Sequence, residues 1–160
     1  MGRSTFSGPV MSGTVRDGQY RNVGNSQQIQ TTAITQAGAG TQNITLYVPA
    51  TSQLLRFTID LYTSWDSVTS AALTIGTASL GTQYVTSTDM KAAAGRLTVT
   101  PTAAQILAYS STAVDATASA AAGTPMSAIV ITLVATGTTT AGSARVTVEY
   151  AQANPQGTAV

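Results

Sequence analysis

The residues with the most chemical promise lie in the stretch YTSWDSVTS, where Asp66 follows the chain's single tryptophan, Trp65. Asp60 stands a short way upstream in the same run. Glycoside hydrolysis uses two carboxyl groups facing each other across a sugar, and an indole beside a carboxylate is how a sugar site can look. The same residues have a plainer reading, in which Trp65 caps the end of a core and Asp66 opens a turn. Other routes to catalysis are narrow. Serine and threonine are plentiful, but a hydroxyl nucleophile needs a base. With no histidine in the chain, only Lys91 or a carboxylate is available. The six acidic residues are scattered, which does not suit an oxygen-ligated metal. There is no cysteine, so thiolate metal sites and disulfides are excluded. AGAG at 37–40 precedes a strand pattern instead of a helix, so it reads as a loop and not a phosphate cradle. No catalytic residue, cofactor site or metal site is expected.

The composition points away from chemistry and toward packing. Only 8% of residues are charged, against about 25% in an ordinary globular protein. A weakly charged surface suits a protein held against neighbours, since charge is what keeps free molecules apart. The net charge of +1 argues against a duplex-binding protein, which needs a basic face to displace counterions. The longest apolar run, AIVITLVA, is far short of the roughly 20 residues of a membrane span. The N-terminus does not read as a secretory signal, because Ser, Gly and Pro interrupt any apolar stretch.

The elements that must position these residues are strands. LLRFTIDLYTSW is the clearest, with Leu55, Phe57, Ile59 and Leu61 expected on the core side and Arg56, Thr58, Asp60 and Tyr62 on the other. QIQTTAITQ, NITLYVP, ALTIGTA, TQYVTS, RLTVT, AIVITLVATG and ARVTVEYAQ bring the total to about eight strands, with AIVITLVATG central. GTTTAG between the last two is expected to be a hairpin loop. Two short helices are expected. TDMKAAAG would be capped by Thr88 or Ser87 and ended by Gly95; TPTAAQILAY would have Thr100 as N-cap and Pro101 at the first helical position. AVDATASAAAG fits helix, strand or loop equally. The expected fold is all-β, an antiparallel β-sandwich of jelly-roll type.

Three segments follow. Residues 1–27 form an extended N-terminal arm, residues 28–152 the sandwich domain, and residues 153–160 a C-terminal tail. The arm carries a glycine every five or six positions and Pro9, so it fits neither helix nor strand. Its charge is +2 while the remainder of the chain carries −1. The six tyrosines, on or beside polar Thr-rich faces, suit wet protein interfaces.

RSTFSGPVMSGT followed by NVGNSQQIQTT, then LLRFTIDLYTSWDS, LTIGTA and GSARVTVEYAQ, resembles the small capsid decoration (cement) proteins of tailed bacteriophages. The likeness is one of pattern and order over most of the chain, and region 102–127 contributes little. It implies a jelly-roll or similar sandwich on the outer face of the virion head, made in the host bacterial cytoplasm. It implies homotrimers at the junctions of capsomers that clamp the major capsid protein shell, with neighbouring decoration trimers as further contacts. No cofactor, nucleic acid or membrane partner is implied. On this reading Phe6, Pro9, Val10, Val15 and Tyr20 are the arm's buried anchors, and Arg3, Arg16 and Arg21 pair with acidic groups on the shell. Two alternatives remain. One is a receptor- or glycan-binding module of a head fibre or tail knob, with Trp65, Asp66 and exposed tyrosines at its site. The other is a tail-tube or head–tail connector protein.

Overall fold

The computed structural model describes residues 25–50, 52–110 and 126–153. The strands are β1 (Asn25–Thr35), β2 (Gly40–Pro49), β3 (Gln53–Thr63), β4 (Ser70–Gly76), β5 (Val85–Asp89), β6 (Gly95–Leu97), β7 (Met126–Thr136) and β8 (Ser143–Ala153), with one helix, α1 (Ala103–Tyr109). They form two antiparallel four-stranded sheets, in the orders β1-β8-β3-β6 and β2-β7-β4-β5. The pairs β1·β8, β2·β7, β3·β6 and β4·β5 describe one long ribbon doubled back at the β4–β5 turn. Successive pairs fall alternately in the two sheets, so the inner faces of both meet in one apolar layer. No helix among the described residues is long and apolar enough to cross a membrane.

Period-two alternation builds that layer. Ile59 and Leu61 of β3, Leu73 and Ile75 of β4, Ile129, Ile131 and Leu133 of β7, and Val146 and Val148 of β8 are buried. As expected, β7 is central, flanked by β2 and β4. β1 begins at Asn25, so the last residues of the expected arm are already strand.

Four expectations need correction. In β3 the core phase breaks at its start: Leu54 is buried and Leu55 is 42% exposed. The register with β8 slips between Leu54 and Arg56, and a bulge of this kind inserts one residue that turns the preceding side chains over. The expected helix at Thr88–Gly95 is absent. Met90 is fully buried, its N–H donates to Ala71 O (2.9 Å), and its carbonyl accepts from Trp65 N–H (2.9 Å). Asp89 Oδ1 takes the Lys91 N–H at 2.9 Å, so the backbone groups a helix would need are committed elsewhere. Helix α1 is present, but its N-cap is Thr102, with Pro101 ahead of the cap. Thr102 and Gln105 exchange side-chain bonds to each other's backbone N–H, a capping box that fixes the start two residues later than Thr100. GTTTAG is not a hairpin loop, because β7 and β8 belong to different sheets and the segment crosses between them.

The β4–β5 turn lies flat over the outer face of its own sheet. Leu80 N–H donates to Thr132 Oγ1 (3.0 Å) and Ser79 Oγ to Asn43 Oδ1 (3.0 Å). Gly76 sits directly beneath: a Cβ there would come within 2.6 Å of the Gly81 carbonyl carbon. Backbone cannot yield as a side-chain tip can, so Gly76→Ala is expected to cost about 2 kcal/mol. Urea denaturation checks this, an unchanged midpoint meaning that the turn lifts freely.

Candidate functional site

Trp65 and Asp66 lie at the end of the sandwich closed by segments 36–39, 64–69, 90–94 and 137–142, and both are structural there. Trp65 is 2% exposed. The Gly142 backbone packs on its ring so closely that a Cβ would lie 2.5 Å from Cε2. Its face is therefore not free to stack on a sugar, which removes the basis for a Trp65-lined glycan site. Asp66 gathers the 137–142 crossover: Oδ1 accepts from Thr139 Oγ1 (2.8 Å), Thr140 N–H (2.8 Å) and Ala141 N–H (3.0 Å), and Oδ2 from Thr140 Oγ1 (2.5 Å). The Thr140 hydroxyl, then the Ala141 and Thr140 amides and the Thr139 hydroxyl, hold this carboxyl well below the usual carboxylate range. The turn-opening reading of Asp66 is what the geometry supports.

Asp60 is engaged elsewhere. On the outer face of the first sheet it accepts from Arg96 Nε (2.8 Å) and Arg145 Nη2 (2.9 Å), which lower its pKa. Arg145 also lies over the Tyr62 ring, 5.8 Å from its centroid. Alongside, Glu149 accepts from Arg56 and Gln27. Lys91 Nζ donates to the Thr69 carbonyl at 3.4 Å. Among the described residues no group of three acidic side chains could hold a metal ion.

Charge is divided unevenly between the two outer faces. Arg56, Asp60, Arg96, Arg145 and Glu149 all stand on the first sheet, whereas β2, β4 and β7 carry no charged residue, and the second sheet's charge is Asp89 at the end of edge strand β5, opposite Ala72. That second face presents Thr41, Thr45 and the half-exposed Tyr47 beside Ala128, Val130, Val134 and Ala72. Leu80 stands over it with φ +61°, a left-handed backbone unusual for a bulky side chain, and remains 58% exposed.

The opposite end of the sandwich holds an apolar groove of about 640 Å³ between the start of β3 and α1. Leu54, Leu55, Pro101, Ala103, Ile106 and Leu107 line it, with Gln53, Tyr109 and Ser110 at its margins. Its walls are held together by hydrogen bonds. Gln105 Nε2 donates to Thr82 O (2.9 Å) and Tyr109 Oη to Tyr84 O (2.9 Å), tying the helix to the segment entering β5. Tyr109 also packs edge-on against Phe57, and burial pushes its phenol up to about 12, so it stays a donor. Gln105 and Tyr109 form the buried side of the helix, which leaves Ile106 (59% exposed) and Leu107 (74%) turned outward. The sequence reading missed this groove, although the capping box at Thr102–Gln105 fixes the helical phase.

Of the expected interface tyrosines, Tyr84, Tyr109 and Tyr150 are buried while Tyr47 and Tyr62 are exposed. Arg3, Phe6, Pro9, Val10, Val15, Arg16, Tyr20 and Arg21 lie outside the described residues, as does AVDATASAAAG. Comparison with protein-family models, curated proteins and solved structures finds no match.

A carboxylate with a lowered folded pKa stabilises the fold above its unfolded pKa, and that contribution is lost as pH falls toward the folded value. Wild-type thermal stability is therefore expected to decline below about pH 4. Asp66→Asn, unable to accept from all four donors, is expected to melt lower at pH 7 and to lose less on further acidification. Fluorescence of the single tryptophan reports both curves, and parallel curves would contradict the role given to Asp66.

Proposed function

We propose that the chain is a virion structural protein of jelly-roll type that decorates the outer surface of a tailed-phage head as a homotrimer. Its partner is the major capsid protein, and it stabilises the shell by clamping adjacent capsomers. The strand orders β1-β8-β3-β6 and β2-β7-β4-β5 support the jelly-roll type, since a doubled ribbon rolled between two sheets yields that arrangement. The observation that carries the functional reading is the charge-free outer face of β2, β4 and β7. Burying a charge against a neighbour costs free energy unless it is paired, so these three strands can be covered without that penalty.

The mechanism is mass action. A protein that binds the assembled shell, and not its dissociated subunits, adds its binding free energy to the stability of the particle. Three arms on one trimer multiply modest contacts through effective concentration. The arm's small and β-branched residues suit strand addition at a neighbouring sheet edge, with Phe6, Pro9, Val10, Val15 and Tyr20 as apolar anchors and Arg3, Arg16 and Arg21 as charge partners.

Two variants test the reading on undecorated heads. Thr45→Glu places a charge on the exposed outer face of β2, and Thr31→Glu places the same charge on β1 of the other sheet. Thr45→Glu is expected to weaken head binding at least about tenfold, equivalent to 1.4 kcal/mol, with Thr31→Glu near wild type. Deleting residues 1–24 is expected to leave a sandwich that no longer coats heads. Equal binding by both glutamate variants would remove the face from the account, and saturation by the truncated chain would remove the arm.

A further inference from the structure

The groove between β3 and α1 has walls but no occupant among the described residues, and its exposed apolar side chains come from separate causes. The bulge in β3 turns Leu55 outward, and the phase of α1 turns out Ile106 and Leu107. No charged residue lines it. Adjacent apolar residues left outward on a pinned helix mark a surface that something covers.

Three stretches of chain lie outside the described residues at an end or beside the groove, and their sequences differ sharply. Residues 111–125 carry Val114, Asp115 and Pro125 among small side chains, and residues 154–160 hold Pro155 and a terminal valine. Only residues 1–24 hold aromatic or methionine side chains: Phe6 and Met11 fall with Pro9, Val10 and Val15 in a run, Ser4–Val15, with no charge. The register places the root of this segment close by. Gln27 pairs with Ala151, and Ala151 with Gln53 at the groove's margin. The two are thus separated by two strand spacings, about 10 Å. Residues 16–24, extended, reach up to about 30 Å, ample for the segment before them to lie in the groove of its own chain.

We infer that the groove formed by Leu54, Leu55, Pro101, Ile106 and Leu107 is the docking site for the Phe6–Val15 segment of the same chain. Docking there covers the arm's apolar groups and the groove's together in the isolated protein. The inference concerns the free chain and does not depend on the head reading, so its test uses no capsid.

The absence of native cysteine makes the test clean. In the full-length protein, Leu107→Cys is combined in turn with Phe6→Cys, Val10→Cys and Val15→Cys and oxidised at low concentration. At least one pair is expected to close within a single chain in about tenfold higher yield than the same arm cysteine paired with Thr138→Cys at the far end. Equal yields, or links formed only between chains, overturn the inference. Independently, the exposed double variant Ile106→Asp, Leu107→Asp is expected to speed tryptic cleavage at Arg16 about tenfold, with Trp65 fluorescence reporting an intact fold. Cleavage at the wild-type rate in that variant also overturns it.

Discussion

The shared apolar layer between the two sheets governs the molecule, because each strand has one face to spend on it and must do something else with the other. Ile59, Leu73, Ile75, Ile129, Val146 and Val148 are almost wholly removed from water, and burial of such side chains is worth about 1.5–3 kcal/mol each. Once they are fixed inside, the identity of the outer faces follows from alternation. Charge in β3 and β8 falls on one exterior, and its absence from β2, β4 and β7 confines charge on the other to Asp89 at the β5 edge. The asymmetry of charge is therefore a by-product of the same register that makes the core.

The two ends of the sandwich solve different problems. At one, Asp66, Trp65, Gly142 and Met90 knit the crossovers together with backbone hydrogen bonds and close packing. The Thr-Ser-Trp-Asp stretch positions the crossovers at this end, while Leu-Thr-Ile-Gly-Thr leads into the β4–β5 turn at the opposite one. At the other end, packing stops at Ile106 and Leu107, and the surface is left apolar.

Much of this was legible in the sequence. β8 could be placed with Val146 and Val148 on the core side of its period-two pattern, and β7 could be placed at the centre of a sheet from its continuous apolar run. The failures came where a nonlocal contact outweighed a local pattern. Thr88–Gly95 has helical composition, but Met90 is pulled into the core and its backbone bonded to Ala71 and Trp65. GTTTAG has the length of a hairpin loop, but Asp66, distant in sequence, draws it across the sheets. The bulge at Leu55 reversed one core assignment and thereby hid the groove. Trp65 and Asp66 offered two readings, and only burial and bonding partners chose between them.

The central proposal is that this sandwich acts by covering a larger assembly through the uncharged outer faces of β2, β4 and β7. Electron cryomicroscopy of purified phage heads, with and without the added protein, tests it most directly. The account predicts trimeric density on the outer surface of the head, with β2, β4 and β7 turned toward the shell or a neighbouring copy and β1, β8 and β3 toward solvent. Heads that bind no protein, or bind it through the Arg56–Asp60–Arg145 face, would contradict the account.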